Sequence, residues 1–124
     1  WEYAANANSN DTKRQSLGDF AWYEKNSQSR THAVKRKRPN AWGLYDMSGN
    51  VWEMCQTPYS EKRNLSSRSK NSNRSPGTRI PVIKGGSWID PGWNCDPSDR
   101  NDLDSYYGSS SVIGFRIALC KKTD

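Results

Sequence analysis

Few side chains in this chain are suited to bond-making chemistry. Three cysteines, Cys55, Cys95 and Cys120, form no C-x-x-C pair, so a zinc ribbon is excluded. They allow one disulfide with a free thiol, or three thiols, and leave the redox compartment open. His32 is the sole histidine and reads as a loop or strand residue with no ligand role. The acidic residues are more telling. Residues 89 to 113 hold five Asp against one Arg, a net of −4, while the rest of the chain carries +10. In the same interval the run Tyr106-Tyr107-Gly108-Ser109-Ser110-Ser111 joins large aromatic contact area to small, adaptable hydrogen-bonding residues. That is the chemistry of a contact surface, as in antibody loops.

The elements that must position these residues are short. At 124 residues the chain is one domain, and only 32% of it is hydrophobic. A mean hydropathy of −1.08 approaches the range of disordered chains. Six Trp, six Tyr and two Phe argue for a folded, loop-rich domain with an aromatic core. Residues 1 to 7 read as the end of an amphipathic helix, and 8 to 19 as a polar loop. Phe20 to Tyr23 is a short aromatic run expected to be buried, and Thr31 to Val34 a short strand. Pro39-Asn40 marks a turn, and Ser48-Gly49-Asn50 another inside the apolar stretch 41 to 55. Residues 57 to 79 read as a long surface loop. Ile80 to Lys84 reads as a strand, and Val112 to Leu119 as a second one with a bulge or close backbone approach at Gly114.

The net charge of +6 raises the question of nucleic acid. The basic residues cluster in two stretches, Lys35 to Arg38 and Lys62 to Arg79, and neither interleaves aromatics as a single-strand-binding groove does. Both are expected to be solvated loop surface, and nucleic acid is not expected as a partner. No apolar run approaches the ~20 residues of a membrane span, and no signal-peptide core is present.

Three blocks, NAWGLYDMSGNVWEMC (40 to 55), IKGGSW (83 to 88) and GFRIAL (114 to 119), stand in order after WEYAAN at the start. Together they resemble the sulfatase-modifying-factor family, founded on the formylglycine-generating enzyme. The resemblance implies an α+β fold of the C-type lectin type, with residues 1 to 124 as the C-terminal portion of a single domain whose N-terminal part is absent. It also implies that Gly49, Gly85 and Gly86 need left-handed backbone or close approach, and that Trp42, Trp52 and Trp88 supply the core. The family enzyme oxidises a substrate cysteine with copper held by two cysteines, at positions matching Asp90 and Cys95. A soft Cu(I) ion calls for two thiolates, and only Cys95 offers one. Formylglycine generation is therefore not expected. The enzyme's structural calcium turn matches Asp46 to Glu53. By that likeness the carboxylates of Asp46 and Glu53 and the carbonyls of Gly49 and Val51 would hold Ca²⁺, with capping or pairing to basic neighbours as the plain alternative.

A second branch, the variable proteins of diversity-generating retroelements, resembles this chain between GGSW and GFR. In that branch the interval is a hypervariable binding surface, written by mutating template adenines, chiefly in Asn codons. Such codons cannot become Lys, Glu, Gln, Met or Trp. Outside residues 89 to 113 those five types fill 23 of 99 positions, so about six are due inside by uniform composition. Only Trp93 is found there. The reading is a non-catalytic protein that presents a variable surface to a protein or glycan ligand, in a surface-displayed, virion-associated or secreted setting. The expected contact residues are Ile89, Asp90, Pro91, Gly92, Asn94, Asp96, Asp99, Asn101, Asp102, Leu103, Asp104, Tyr106 and Tyr107. Trp93 is expected to fill a core pocket, Cys95 to be buried, and Arg100 to pin loop carbonyls. An oxidase acting on sulfatase cysteines, or a non-diversified structural member, are the alternatives.

Overall fold

The computed structural model describes residues 1–7, 16–58, 80–103 and 110–119. Helix α1, Glu2–Asn6, is one turn and a half, and ends at Ala7 in left-handed backbone with its N–H on the Tyr3 carbonyl. A second short helix, α2, Leu17–Phe20, follows Ser16, within what reads in sequence as loop. Four strands then make one mixed sheet: β1 (Trp52–Pro58), β2 (Pro81–Lys84), β3 (Asn101–Asp102) and β4 (Ile113–Gly114), in the order β3-β2-β1-β4. β1 runs antiparallel to β2 and parallel to β4, and β2 runs antiparallel to β3.

Side chains alternate across a strand, so β1 has two faces with different chemistry. Trp52 lies on one face and is fully buried with Ile83 and Val112, while Trp88, Leu103 and Ile113 close around them. The opposite face holds Glu53, paired in register with Lys84. Both are buried, and α1 docks on them through polar contacts. The Trp1 indole N–H donates to Glu53 Oε2 at 2.6 Å, and Lys84 Nζ pairs with Glu2 at 3.0 Å. The sheet is thus greasy on one side and ionic on the other.

Several expectations are corrected here. Thr31 to Val34 forms no strand. Asn50 instead clasps this stretch: its Oδ1 accepts the His32 N–H at 2.9 Å and its Nδ2 donates to the His32 carbonyl at 3.0 Å. Pairing after Gly114 stops, and Phe115, Ile117 and Leu119 are exposed in irregular backbone. At Gly114 a side chain would meet Val51 Cγ2, the close approach read from sequence. β1 continues through Pro58 into the stretch read as loop, whose residues 59–79 lie outside the described residues. Trp42 is not core: it is 46% exposed and meets Tyr3 edge-on at a centroid distance of 5.1 Å.

The basic stretch 35 to 38 is partly built into the frame. Lys37 lies over the Trp22 ring at 3.9 Å and donates to the Gly18 carbonyl at 2.5 Å. His32 stacks on the same ring at 3.7 Å and its Nε2 meets the Ser27 carbonyl, a packing role. No helix among the described residues is long and apolar enough to cross a membrane.

Candidate functional site

The acidic interval hangs from a frame made by two glycine turns. Gly49 is left-handed at φ 72°, and a Cβ there would collide with the Trp22 carbonyl oxygen. Gly86, also at φ 72°, has Cys95 Sγ and the Asn94 carbonyl where a Cβ would go, at 2.8 and 2.9 Å. Only glycine permits both this conformation and this approach. The turns are stitched together. The Gly49 N–H donates to the Gly85 carbonyl at 2.7 Å, the Trp88 N–H to the Asn50 carbonyl at 2.9 Å, and Ser48 Oγ to the Cys95 carbonyl at 2.9 Å. Asn50 also donates its own N–H to the Trp22 carbonyl at 2.7 Å. Ser27 Oγ holds the Trp88 carbonyl at 2.7 Å.

From this frame a 3-10 turn, Gly92–Cys95, carries the first half of the expected contact surface. Ile89 is 53% exposed and Trp93 75% exposed. Trp93 was expected inside and is instead an outward indole. Cys95 occupies the interior at 1% exposure, and burial, with the charge of Asp90 adding to it, pushes its thiol pKa up to about 12. Asp90 was expected at the surface and is 8% exposed. Its Oδ2 accepts the Trp52 indole N–H at 2.7 Å and a short bond from Ser87 Oγ. A carboxylate can be buried this way because neutral donors satisfy it. Asp90 therefore anchors the core tryptophan and is not a contact residue.

Further along, Asp96 is exposed and accepts from both the N–H and Oγ of Ser98, which lower its pKa. Asn94 Nδ2 donates to Asp99 Oδ2 at 3.0 Å. Pro91, Gly92, Asn94, Asp99, Asn101 and Asp102 are half-buried, Gly92 backing onto Leu17 and Tyr23. Leu103 packs on the core cluster, so its side chain serves the interior. Asp104, Tyr106 and Tyr107 lie outside the described residues. Lys84, not expected in such a role, pins loop carbonyls: its Nζ donates to the Pro97 and Asp99 carbonyls at 2.8 and 3.0 Å. Sequence reasoning missed both Lys84 and Asn50. A lysine ending a strand beside Gly-Gly, and an asparagine completing a turn, were the available signals.

The turn Asp46 to Glu53 forms a second locus. Asp46, Gly49, Val51 and Glu53 all line one cavity of about 350 Å³, together with Val34, Phe115 and Arg116. Arg116 crosses it. Its Nε and Nη2 donate to Glu53 Oε2 and Oε1 at 2.6 and 2.5 Å, and Nη2 reaches the Tyr45 and Asp46 carbonyls at 3.0 Å. The bond to Glu53 holds the guanidinium above its ordinary pKa. Asp46 Oδ2 accepts the Lys35 N–H at 2.8 Å. Lys35, Asp46 and Asn50, all on the cavity lining, are left-handed at φ 53° to 65°, a concentration of backbone strain. No three His, Cys, Asp or Glu side chains converge as a metal site among the described residues. A hard cation here would rest on two carboxylates and on carbonyl oxygens. Cys55 is half-buried and Cys95 buried; both are free thiols, and burial raises the pKa of Cys55 as well.

Comparison with known proteins gives the wider setting. The chain is 35% identical over 94 residues to a formylglycine-generating enzyme of Streptomyces coelicolor, covering 71% of this chain and 29% of that one. It is 34% identical over 92 residues to the serine/threonine-protein kinase pkn1 of Chlamydia pneumoniae, covering 71% of this chain and 14% of that protein. Among solved structures it matches Treponema denticola variable protein 1, with a TM-score of 0.69 and 32% identity over 93% of this chain and 43% of the other. It also matches PvdO of Pseudomonas aeruginosa, with a TM-score of 0.65 and 26% identity over 92% and 47%. The chain spans less than a third of these curated relatives and under half of these two structures. The fold is the small α+β, C-type-lectin-like fold of these neighbours, with a mixed open sheet and few helices. A family profile described as the sulfatase-modifying factor enzyme 1-like domain matches residues 1–121, and the chain belongs to that family.

Proposed function

We propose that this chain is a non-catalytic binding protein that displays residues 89 to 113 as a variable surface, diversified by a retroelement. The observation that carries the binding part of this reading is Trp93, a constant position by the codon argument: a large apolar side chain held outward on a turn whose backbone is fixed from behind by Gly86, Ser48 and Lys84. Burying such a residue is favourable only against a partner, and exposed tryptophans on rigid backbone are typical binding anchors. Similarity to a variable protein supports the same reading. The contact set is Ile89, Trp93, Asp96 and the half-buried Pro91, Asn94, Asp99, Asn101 and Asp102, with Asp104, Tyr106 and Tyr107 kept from the sequence.

An oxidase reading draws support from the Streptomyces coelicolor relative. Against it stand Asp90 in place of a thiolate, committed to Trp52 and Ser87, and a Cys95 thiol held protonated by burial. Neither group is set up to bind Cu(I). A structural Ca²⁺ in the Asp46 to Glu53 turn belongs to the proposal, since all four expected residues line one cavity. Arg116 neutralises Glu53 there and the Lys35 backbone N–H takes one Asp46 oxygen, so a Ca²⁺ in this turn would be held weakly.

The test of function is the coding DNA. A near-copy of the region encoding residues 84 to 116, differing only at adenines and lying beside a reverse-transcriptase gene, is the expected result. Turnover of a cysteine-containing sulfatase peptide that is lost in Cys95→Ser would establish the oxidase instead.

A further inference from the structure

The binding surface also says something about its partner, an argument that rests on the reading just given. Two exposed apolar side chains lie close in sequence, Trp93 on the fixed turn and Ile89 just before it, and the exposed carboxylate of Asp96 follows the turn. Asp96 Oδ1 accepts from Ser98, and Asp99 Oδ2 from Asn94, which leaves each a second oxygen without a donor among the described residues. Ser98 Oγ is turned to Asp96 and Asn94 Nδ2 to Asp99. The described part of the loop therefore offers apolar area, an exposed indole and carboxylate oxygens.

Most glycans are neutral or anionic, so a net-negative surface gives them no electrostatic attraction. A protein surface with an apolar pocket edged by Lys or Arg matches every feature. The charge distribution agrees. This interval is net −4 on a chain otherwise +10, so a basic partner is attracted here and repelled elsewhere. Screening over roughly 8 Å at physiological salt keeps that preference local. We infer that the partner is a protein whose contact patch sets an apolar pocket for Trp93 and Ile89 beside Lys or Arg side chains facing Asp96 and Asp99.

The experiment pans a phage-displayed random peptide library against the whole chain, with a glycan array read in parallel on the same preparation. The expected outcome is enrichment of peptides that combine Lys or Arg with aromatic or aliphatic residues. Their affinity should fall by roughly 30-fold in Trp93→Ala, the scale of a binding hot spot. It should fall further with Asp96→Lys and weaken as salt is raised, with melting curves unchanged in both variants. Glycans, or acidic or neutral peptides, that bind the chain and are lost in Trp93→Ala would overturn the partner class while leaving the surface itself standing. Capture that is indifferent to Ile89→Ala, Trp93→Ala and Asp96→Lys would overturn both, and an empty selection on both arms also counts against the inference.

Discussion

Two acidic turns of this chain treat their carboxylates in opposite ways. In the turn from Asp46 to Glu53, Glu53 is buried against a charged partner, Arg116, and the surrounding backbone is strained. In the turn from Ile89 to Asp99, the buried carboxylate is Asp90, satisfied by an indole and a hydroxyl, and the other acids face outward or half-outward. The first turn spends its charge on holding the fold. The second keeps one acid for that purpose and turns the others toward solvent. Under the proposed function, stability and binding fall to different residues within one small domain.

The largest effect expected from breaking this division is at the ion pair. Arg116→Met leaves Glu53 buried with the Trp1 indole N–H as its remaining donor, and should cost about 3 kcal/mol in urea unfolding at pH 7, the low end for breaking a buried pair because Arg116 is partly exposed. Asp90→Ala removes an acceptor from two buried donors, Trp52 Nε1 and Ser87 Oγ, and should cost about 2 kcal/mol by the same measurement. If Asp90 were a contact residue, that variant would melt like the parent.

A smaller effect is expected of calcium. At a free concentration near ten times the dissociation constant, binding adds about 1.4 kcal/mol by mass action. Excess chelator should lower the melting temperature by a few degrees, and Asp46→Ala should abolish the difference. Identical melts after verified metal removal would leave the turn as an internally paired structure without a cation. Smallest at neutral pH is the effect of Cys95. Its folded pKa of about 12 lies above the ordinary thiol value, so the unfolded chain loses its proton first as pH rises. Stability should therefore be intact below about pH 8.5 and decline above it towards pH 12. Peptide mapping after thiol alkylation at pH 8 should find Cys55 modified well before Cys95.

Much of this architecture is legible in the sequence, and the exceptions share a cause. The glycine turns, the strand before Gly85 and the buried Trp52 and Cys95 follow from residue type, because backbone geometry and burial are local demands. Asp90 and Trp93 are exchanged relative to expectation because type alone argues for a surface acid and a buried indole. What reverses them is tertiary: Trp52 and Ser87 bring two donors to position 90, and the 3-10 turn rotates position 93 outward. Lys84 pins the loop because its strand register sets it under those carbonyls, which no spacing rule reveals. The strand expected through Leu119 stops at Gly114 because pairing with β1 ends at Glu53.

The most direct test of the central claim is a single library in which Ile89, Trp93, Asp96 and Ser98 are randomised together and the folded fraction is read by thermal challenge. The account predicts that most members melt within a few degrees of the parent, since exposed positions rarely shift stability by more than about 0.5 kcal/mol each. Collapse of most members would mean that this turn is part of the core, and would contradict a rigid frame carrying a replaceable surface.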